Sequence, residues 1–420
     1  MEKANPGDEV IVKKVKGEER GILLESHEPG MILLKLNTGY NIGIAKKNIK
    51  EIKIIKEAEK ETEEEAIKMK GKPIIDFYLT GGTISSKLDS KTGGVKDLTS
   101  PSEFFKLYPE IREIADIRIR KPFTKWSENM NEEDWIKLAK QIVKSLNDTN
   151  VRGVIVSHGT DFLHYTSAAL SFFLRGLNKP VVLTYSQRST DRGSSDARLN
   201  LLCAARAALS DIAEVILVGH ASINDDFCYA LRGTKVRKMH SSRRDAFRPI
   251  NCVPIAKVWP DRVEFISEHK KRNKNKVKLE AGFGKVALIK FYPGQGPEIL
   301  EHYLKNGYKG IVIEMSGLGQ VITEGKNNWI PQLKQVIEKG MVVCAAPQTL
   351  YGRLDPYVYE SARRILKTGV IYLGDMLPET ALVKLGWALA KEKNKEKIRK
   401  MLLENVSGEF NSRLGKEFLE

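Results

Sequence analysis

The sequence predicts an α/β protein in which a small N-terminal β-barrel is followed by two α/β domains with parallel sheets. Three observations predict this. Residues 7–55 hold five short β-branched runs separated by turn residues, residues 73–268 alternate apolar strand runs with amphipathic helical periods, and the same alternation restarts at residue 285. At 420 residues the chain is long enough for two or three domains, each with its own core.

The N-terminal runs are EVIVKKV, GILLES, MILLKL, YNIGIA and IKEIKII. Runs this closely spaced are joined by tight turns and therefore pair antiparallel, which suggests a small barrel over residues 1–55. Residues 56–72, KEAEKETEEEAIKMKGK, have little to bury and read as a charged linker. The strand runs PIIDFYLT, VRGVIVSH, KPVVLTYS and AEVILVGH then alternate with the helical patterns NEEDWIKLAKQIVKSL and YTSAALSFFLRGL. Continuous apolar strands need cover on both faces, and helices on both sides of a parallel sheet supply it, so residues 73–268 form the first α/β domain. The polar, lysine-rich stretch SEHKKRNKNKVKLEAGFG marks a linker over 269–284. The runs KVALIKFYP, GIVIEMSG, MVVCAAP and GVIYLGD build the second α/β domain, 285–420, with a helical tail from about Pro378 to Leu419.

Composition narrows the function classes. No apolar run approaches the ~20 residues needed to cross a bilayer, and MEKANPGDEV lacks the apolar segment of a secretory signal, so a soluble, cytoplasmic protein without a membrane role is expected. Cys203, Cys228, Cys252 and Cys344 form no CxxC pair and read as buried thiols. The seven histidines show no HExxH or other metal spacing, and no metal is expected. The formal charge of +16 fits either a solvated, lysine-rich surface or an anionic partner such as RNA. No aromatic-basic RNA-binding motif favours the second.

In an open parallel sheet, ligands bind beyond the carboxyl ends of the strands. Two strand ends there carry hydroxyls. Thr80-Gly81-Gly82-Thr83-Ile84-Ser85 follows PIIDFYL, and its glycines let the backbone turn sharply and approach a ligand. The alternative is a plain turn whose threonines bond their own backbone. His158-Gly159-Thr160-Asp161 follows VRGVIVS, where Thr160 or Asp161 is equally suited to capping the next helix. A hydroxyl nucleophile needs a base. The segment Arg232 to Asp245 packs cations densely, and an amine in a partly dry site among like charges loses its proton more easily, which makes Lys238 the candidate.

TGGTIS, SHGTDFLHYT and the Lys238 segment, in this order, resemble the signature segments of the L-asparaginase/glutaminase family. GYNIGIA, SQRSTDRGSSDA, RGTKVRKMHSSRRDAF and DMLPETALVKLGW resemble the branch formed by archaeal glutamyl-tRNA(Gln) amidotransferase D subunits, which carry the extra N-terminal barrel. The resemblance implies two asparaginase-like α/β domains and a glutaminase half-reaction, with ammonia passed to an E subunit that uses ATP and magnesium to convert Glu-tRNA(Gln) to Gln-tRNA(Gln). It also implies a heterotetramer of two D and two E subunits, tRNA(Gln) contacts mainly through E, and no cofactor in this chain. By position, Thr83 matches the first catalytic threonine, and Thr160 and Asp161 the second threonine and the aspartate that grips the substrate amino group. Lys238 matches the catalytic lysine, and Ser127 and Glu128 the residues holding the amino-acid end of the substrate.

One departure stands out: Ser90 occupies the place where the family has a tyrosine on a mobile loop over the nucleophile. A serine is too short to put its oxygen where a phenol would. The resemblance therefore leaves two other functions open, a free-standing L-asparaginase and a glutaminase-impaired, tRNA-contacting structural protein. Which threonine attacks first is also left open, because both lie at equivalent strand ends.

Overall fold

The computed structural model describes residues 4–26, 28–57, 69–82, 84, 86–88, 95–97, 101–190 and 192–415. The five N-terminal runs form strands Glu9–Lys14, Glu18–Leu24, Met31–Leu36, Asn41–Ala45 and Ile49–Lys56, all paired antiparallel. The order places Asn41–Ala45 at one end and Ile49–Lys56 beside the first strand at the other. Val10, Val12, Leu23, Leu34 and Ile44 fill their small core, each from the inward face of its strand.

The first α/β unit is built on an eight-stranded sheet. Its order is Val263–Phe265, Ala256–Val258, Cys228–Arg232, Val215–His220, Val181–Thr184, Val151–Ser157, Ile74–Leu79 and Asp116–Arg120. The last five are parallel, as the alternating pattern predicts, whereas the first three run antiparallel. Successive side chains of one strand feed different cores: Val154 and Val156 pack with helices 132–147 and 163–173, and Ile155 between them packs with helix 197–208. Helix 132–147 begins on a capping box, in which Asn131 accepts from Glu133 N and Asp134 N while Asp134 accepts from Asn131 N.

The second α/β unit holds four parallel strands in the order Val286–Lys290, Gly310–Met315, Val342–Pro347 and Ile371–Tyr372. Helix Pro378–Lys391 joins the two units. Its Val383, Leu385 and Trp387 share one core with Phe172 of the first sheet's cover and with Val312 and Cys344 of the second sheet. The Trp387 and Phe172 rings stack at 5.7 Å.

Three expectations are refined. The helical tail is interrupted: among the described residues helix Lys395–Leu403 is the last, and 404–415 run as loop, with Glu409 accepting from the Val406 and Ser407 N–H groups to hold the turn. The 269–284 stretch is fastened rather than free. Arg272 donates to Ala208 O, Asn147 pairs with the Val277 backbone, and Lys278–Leu279 pairs with Leu174–Arg175. Of the cysteines, Cys203, Cys228 and Cys344 are buried, but Cys252 is only half-buried.

Candidate active site

Two glycine-bearing loops meet at the carboxyl ends of the adjacent parallel strands Ile74–Leu79 and Val151–Ser157. Gly81 and Gly82 take φ of +117° and +83°, a left-handed conformation that side-chain-bearing residues rarely adopt. A Cβ on Gly82 would stand 2.6 Å from Gly159 N and 2.7 Å from His158 C, so the two backbones touch. A Cβ on Gly159 would in turn stand 2.9 Å from Ser127 Oγ, which brings the buried Ser127 against the same loop. Gly82→Ala is therefore expected to cost about 1–3 kcal/mol from backbone strain alone, read as a lowered unfolding midpoint, together with loss of activity.

Thr80 does not face the crevice. It is buried, and its hydroxyl donates to Ser157 O at 2.6 Å, tying the two strand ends together; this threonine is structural, bonded to the neighbouring strand and not to its own turn. Thr83, next in the chain after Gly82, and Ser90 lie outside the described residues.

Lys238 ends the short strand Val236–Lys238, which pairs antiparallel with Phe247–Pro249. Its Nζ donates to Thr160 Oγ1 at 2.8 Å and to Asp161 Oδ1 at 2.7 Å. The lysine side chain is 10% exposed and that of Asp161 62%, so an amine held in a nearly closed site meets a carboxylate that opens to solvent. Glu128 is exposed on the same turn, Ser127–Asn129, as Ser127. The structure thus gathers Thr160, Asp161 and Lys238, sets Ser127 against their loop and leaves Glu128 at its rim.

The expected crowding of like charges around Lys238 is corrected. Each cation from Arg232 to Arg244 has a carboxylate of its own: Arg232 with Glu214, Lys235 with Asp375, Arg237 with Glu379, Lys238 with Asp161, Arg243 with Asp245 and Arg244 with Asp225. Charges so compensated leave this segment without the unpaired positive block that RNA phosphates would seek. Two of these pairs reach the C-terminal unit. Lys235 Nζ lies 2.5 Å from Asp375 Oδ2, both side chains 1% exposed, and Arg237 Nε lies 3.1 Å from Glu379 Oε1. Thr380 Oγ1 donates to Thr234 O at 3.0 Å. The strand carrying Lys238 is therefore held from behind by the start of helix 378–391.

His158, one residue from Thr160's glycine, is fully buried, and burial pulls its pKa down to about 4. The unfolded chain, with an ordinary imidazole near 6.5, binds more protons between these values, so stability is complete above about 6.5 and is lost as pH falls toward 4. This one group is expected to remove about 3 kcal/mol between pH 7 and 4. Urea unfolding of wild type and His158→Asn at both pH values reads the difference, and equal pH slopes in the two proteins would contradict it.

Comparison with known proteins now bears on this geometry. The family model for the asparaginase N-terminal domain matches residues 75–271, that for the glutaminase/asparaginase C-terminal domain residues 285–402, and that for the GatD N-terminal domain residues 4–55. The glutamyl-tRNA(Gln) amidotransferase D subunit of Thermococcus kodakarensis is 48% identical over 418 residues, covering 96% of this chain and 94% of its own length. The Archaeoglobus fulgidus protein of the same name is 43% identical, covering 94% of this chain and 93% of its own length. The chain belongs to the family of glutamyl-tRNA(Gln) amidotransferase D subunits. Within solved structures, the family's asparaginase fold is plain. The thermostable L-asparaginase from Thermococcus kodakarensis superposes with a TM-score of 0.74 at 32% identity, covering 81% of this chain and all of its own. L-asparaginase I from Vibrio cholerae gives 0.70 at 26% identity, with the same coverage.

The family's extra N-terminal part corresponds to the five-stranded sheet over 4–55. Among the described residues no helix is long and apolar enough to cross a membrane. Sequence reasoning named Thr160, Asp161, Lys238 and Ser127 but gave no role to His158, Asp375 or Glu379. The signal for His158 was its place before Gly159, and that for the other two was only their place in the string DMLPETALVKLGW.

Proposed function

We propose that this protein hydrolyses glutamine, with Thr83 as nucleophile, and supplies ammonia for converting Glu-tRNA(Gln) to Gln-tRNA(Gln). The observation that carries the reading is Lys238 Nζ at hydrogen-bonding distance from both Thr160 Oγ1 and Asp161 Oδ1. Thr83 Oγ attacks the side-chain amide carbon, and its proton passes through Thr160 to Lys238. The C–N bond breaks, the departing nitrogen takes up a proton as ammonia, and water then releases glutamate from the acyl-enzyme. Backbone N–H groups of the glycine loops meet the oxyanion; losing one such donor costs about 10²–10³ in rate. Asp161, open on its solvent side, receives the substrate's α-ammonium together with Glu128, while Ser127 Oγ donates to the α-carboxylate.

Ammonia then passes to the amidating E subunit, which spends ATP with magnesium on the tRNA-bound glutamate, in a cytoplasmic assembly of two D and two E subunits. No cofactor is assigned to the D subunit itself. The family membership and the near full-length identity to proteins named as D subunits support this assignment. A free-standing asparaginase is the second reading, favoured by the likeness to solved L-asparaginases. Ammonia release from glutamine and from asparagine, with and without the E subunit and Glu-tRNA(Gln), separates the two. Glutamine turnover raised by the partner is the expected result. Equal asparagine turnover with and without the partner, and none with glutamine, would overturn it.

A further inference from the structure

Behind the Thr160 loop runs a buried chain of polar groups that the reaction above does not use. Trp135 Nε1 lies 2.9 Å from Thr166 Oγ1, Thr166 Oγ1 lies 2.8 Å from His158 Nε2, and His158 Nδ1 lies 2.7 Å from the Gly159 carbonyl oxygen. His158 and Thr166 are fully buried, and Trp135 is 9% exposed. The three side chains come from different elements: helix 132–147, helix 163–173 and the end of strand 151–157.

Donor inventories fix the direction of every bond in the chain. An indole nitrogen only donates, so Thr166 accepts from Trp135 and has its single proton left for His158. A carbonyl only accepts, so Nδ1 must carry the imidazole proton; in the neutral ring Nε2 is then bare and takes the Thr166 proton. Burial, which holds the imidazole neutral, is consistent with this single tautomer.

The geometry points to His158 as the positioning residue of Thr160: through its Nδ1–H it locks the Gly159–Thr160 peptide. A trans peptide is planar, with its C=O and N–H opposed, so a carbonyl fixed on the imidazole turns the Thr160 N–H away from the buried side. The loops meet one peptide earlier, with Gly82 packed on His158 C and Gly159 N and Ser127 on the Gly159 Cα that joins the two planes. Rotation of the Gly159–Thr160 plane would carry Thr160 Oγ1 off Lys238 Nζ, now 2.8 Å away. A displacement of about 1 Å at such a site costs about 10²-fold in rate. Trp135 and Thr166 act one step further back, by giving the bare Nε2 a donor that holds the ring in place.

This inference rests on Thr160 being part of the glutaminase machinery, and its test keeps the two claims apart. An Asn side chain puts its amide nitrogen close to where Nδ1 sits and keeps a donor for Gly159 O, whereas Gln reaches to the Nε2 position and does not. In the D–E complex, His158→Gln is expected to lower kcat for glutamine about 10²-fold with KM changed less than about 3-fold, and His158→Asn to recover all but about 10-fold of it. The second arm needs no variant and no activity. Nitrogen-15 NMR of histidine-labelled wild type at pH 7 is expected to show a buried neutral imidazole protonated at Nδ1, and Thr166→Val to keep that tautomer because the Gly159 carbonyl still only accepts. An Nε2–H tautomer in wild type overturns the proposal, as do Asn and Gln variants impaired equally or not at all. A wild type inactive on glutamine, yet holding the Nδ1–H tautomer, would fail the glutaminase reading while leaving the lock intact.

Discussion

Lys238→Ala is expected to lower glutamine-dependent activity by about 10³-fold or more, with ammonia-dependent transamidation by the D–E complex preserved. The amine is the described basic group bonded to Thr160, and Asp161 holds it there from the other side. Groups that act as one unit fail together, so Thr83→Ala and Thr160→Ala are expected to match it, and double variants to lose little more than single ones. In the proposed reaction, free ammonia enters after the hydrolysis step and bypasses all three residues. The measurement is ammonia release by each purified variant beside Gln-tRNA(Gln) formation with added ammonium. Wild-type ammonia release by Thr160→Ala would end the assignment, and loss of the ammonium-dependent reaction would show a damaged fold instead.

The sequence carries much of this site because its parts lie at strand ends. Alternation of apolar runs with helical periods located the strands Ile74–Leu79 and Val151–Ser157, and the crevice rule then directed attention to the residues after each. By composition Lys238 was one cation among six, and it was the resemblance of its segment to the family's that picked it out. What singles it out in the structure is pairing across the fold, Lys235 with Asp375 and Arg237 with Glu379, which occupies its neighbours and leaves it to Thr160 and Asp161. Partners some 140 residues apart leave no trace of their pairing: Asp375 and Glu379 sit in DMLPET, a string that resembles the family's without showing what its carboxylates meet. The antiparallel extension was invisible for another reason. Ala256–Val258 and Val263–Phe265 are three residues each, too short for a period of two to register. The polar chain through Trp135 and Thr166 was hidden by its own helices, since a tryptophan and a threonine at buried helical positions look like ordinary core.

Glu409→Ala is expected to destabilise the protein by about 3–5 kcal/mol, because it leaves a buried ammonium without its counter-charge. Lys384 and Glu409 meet at 2.6 Å with both side chains 0% exposed. The lysine also donates to Leu402 O at 3.0 Å and Glu404 O at 2.5 Å, so each of its three protons has an acceptor, and the Phe410 ring lies 4.9 Å away. Burial nevertheless pulls the Lys384 pKa below its ordinary value against the upward pull of Glu409, so the pairing only partly offsets the cost of taking the charge out of water. Lys384→Met in the Glu409→Ala background is therefore expected to restore part of the loss, since an apolar side chain suits this core of Phe172, Cys344 and Leu402. It is not expected to restore all of it. Glu409 also accepts from Val406 N at 3.1 Å and Ser407 N at 2.6 Å, and those donors stay unmet in the double variant, each costing about 1–3 kcal/mol if it remains buried. Urea unfolding of the two single variants and the double variant measures the cycle. A Glu409→Ala protein within about 1 kcal/mol of wild type would mean that the loop over 404–409 opens and lets water reach the ammonium, in place of the dry pair described.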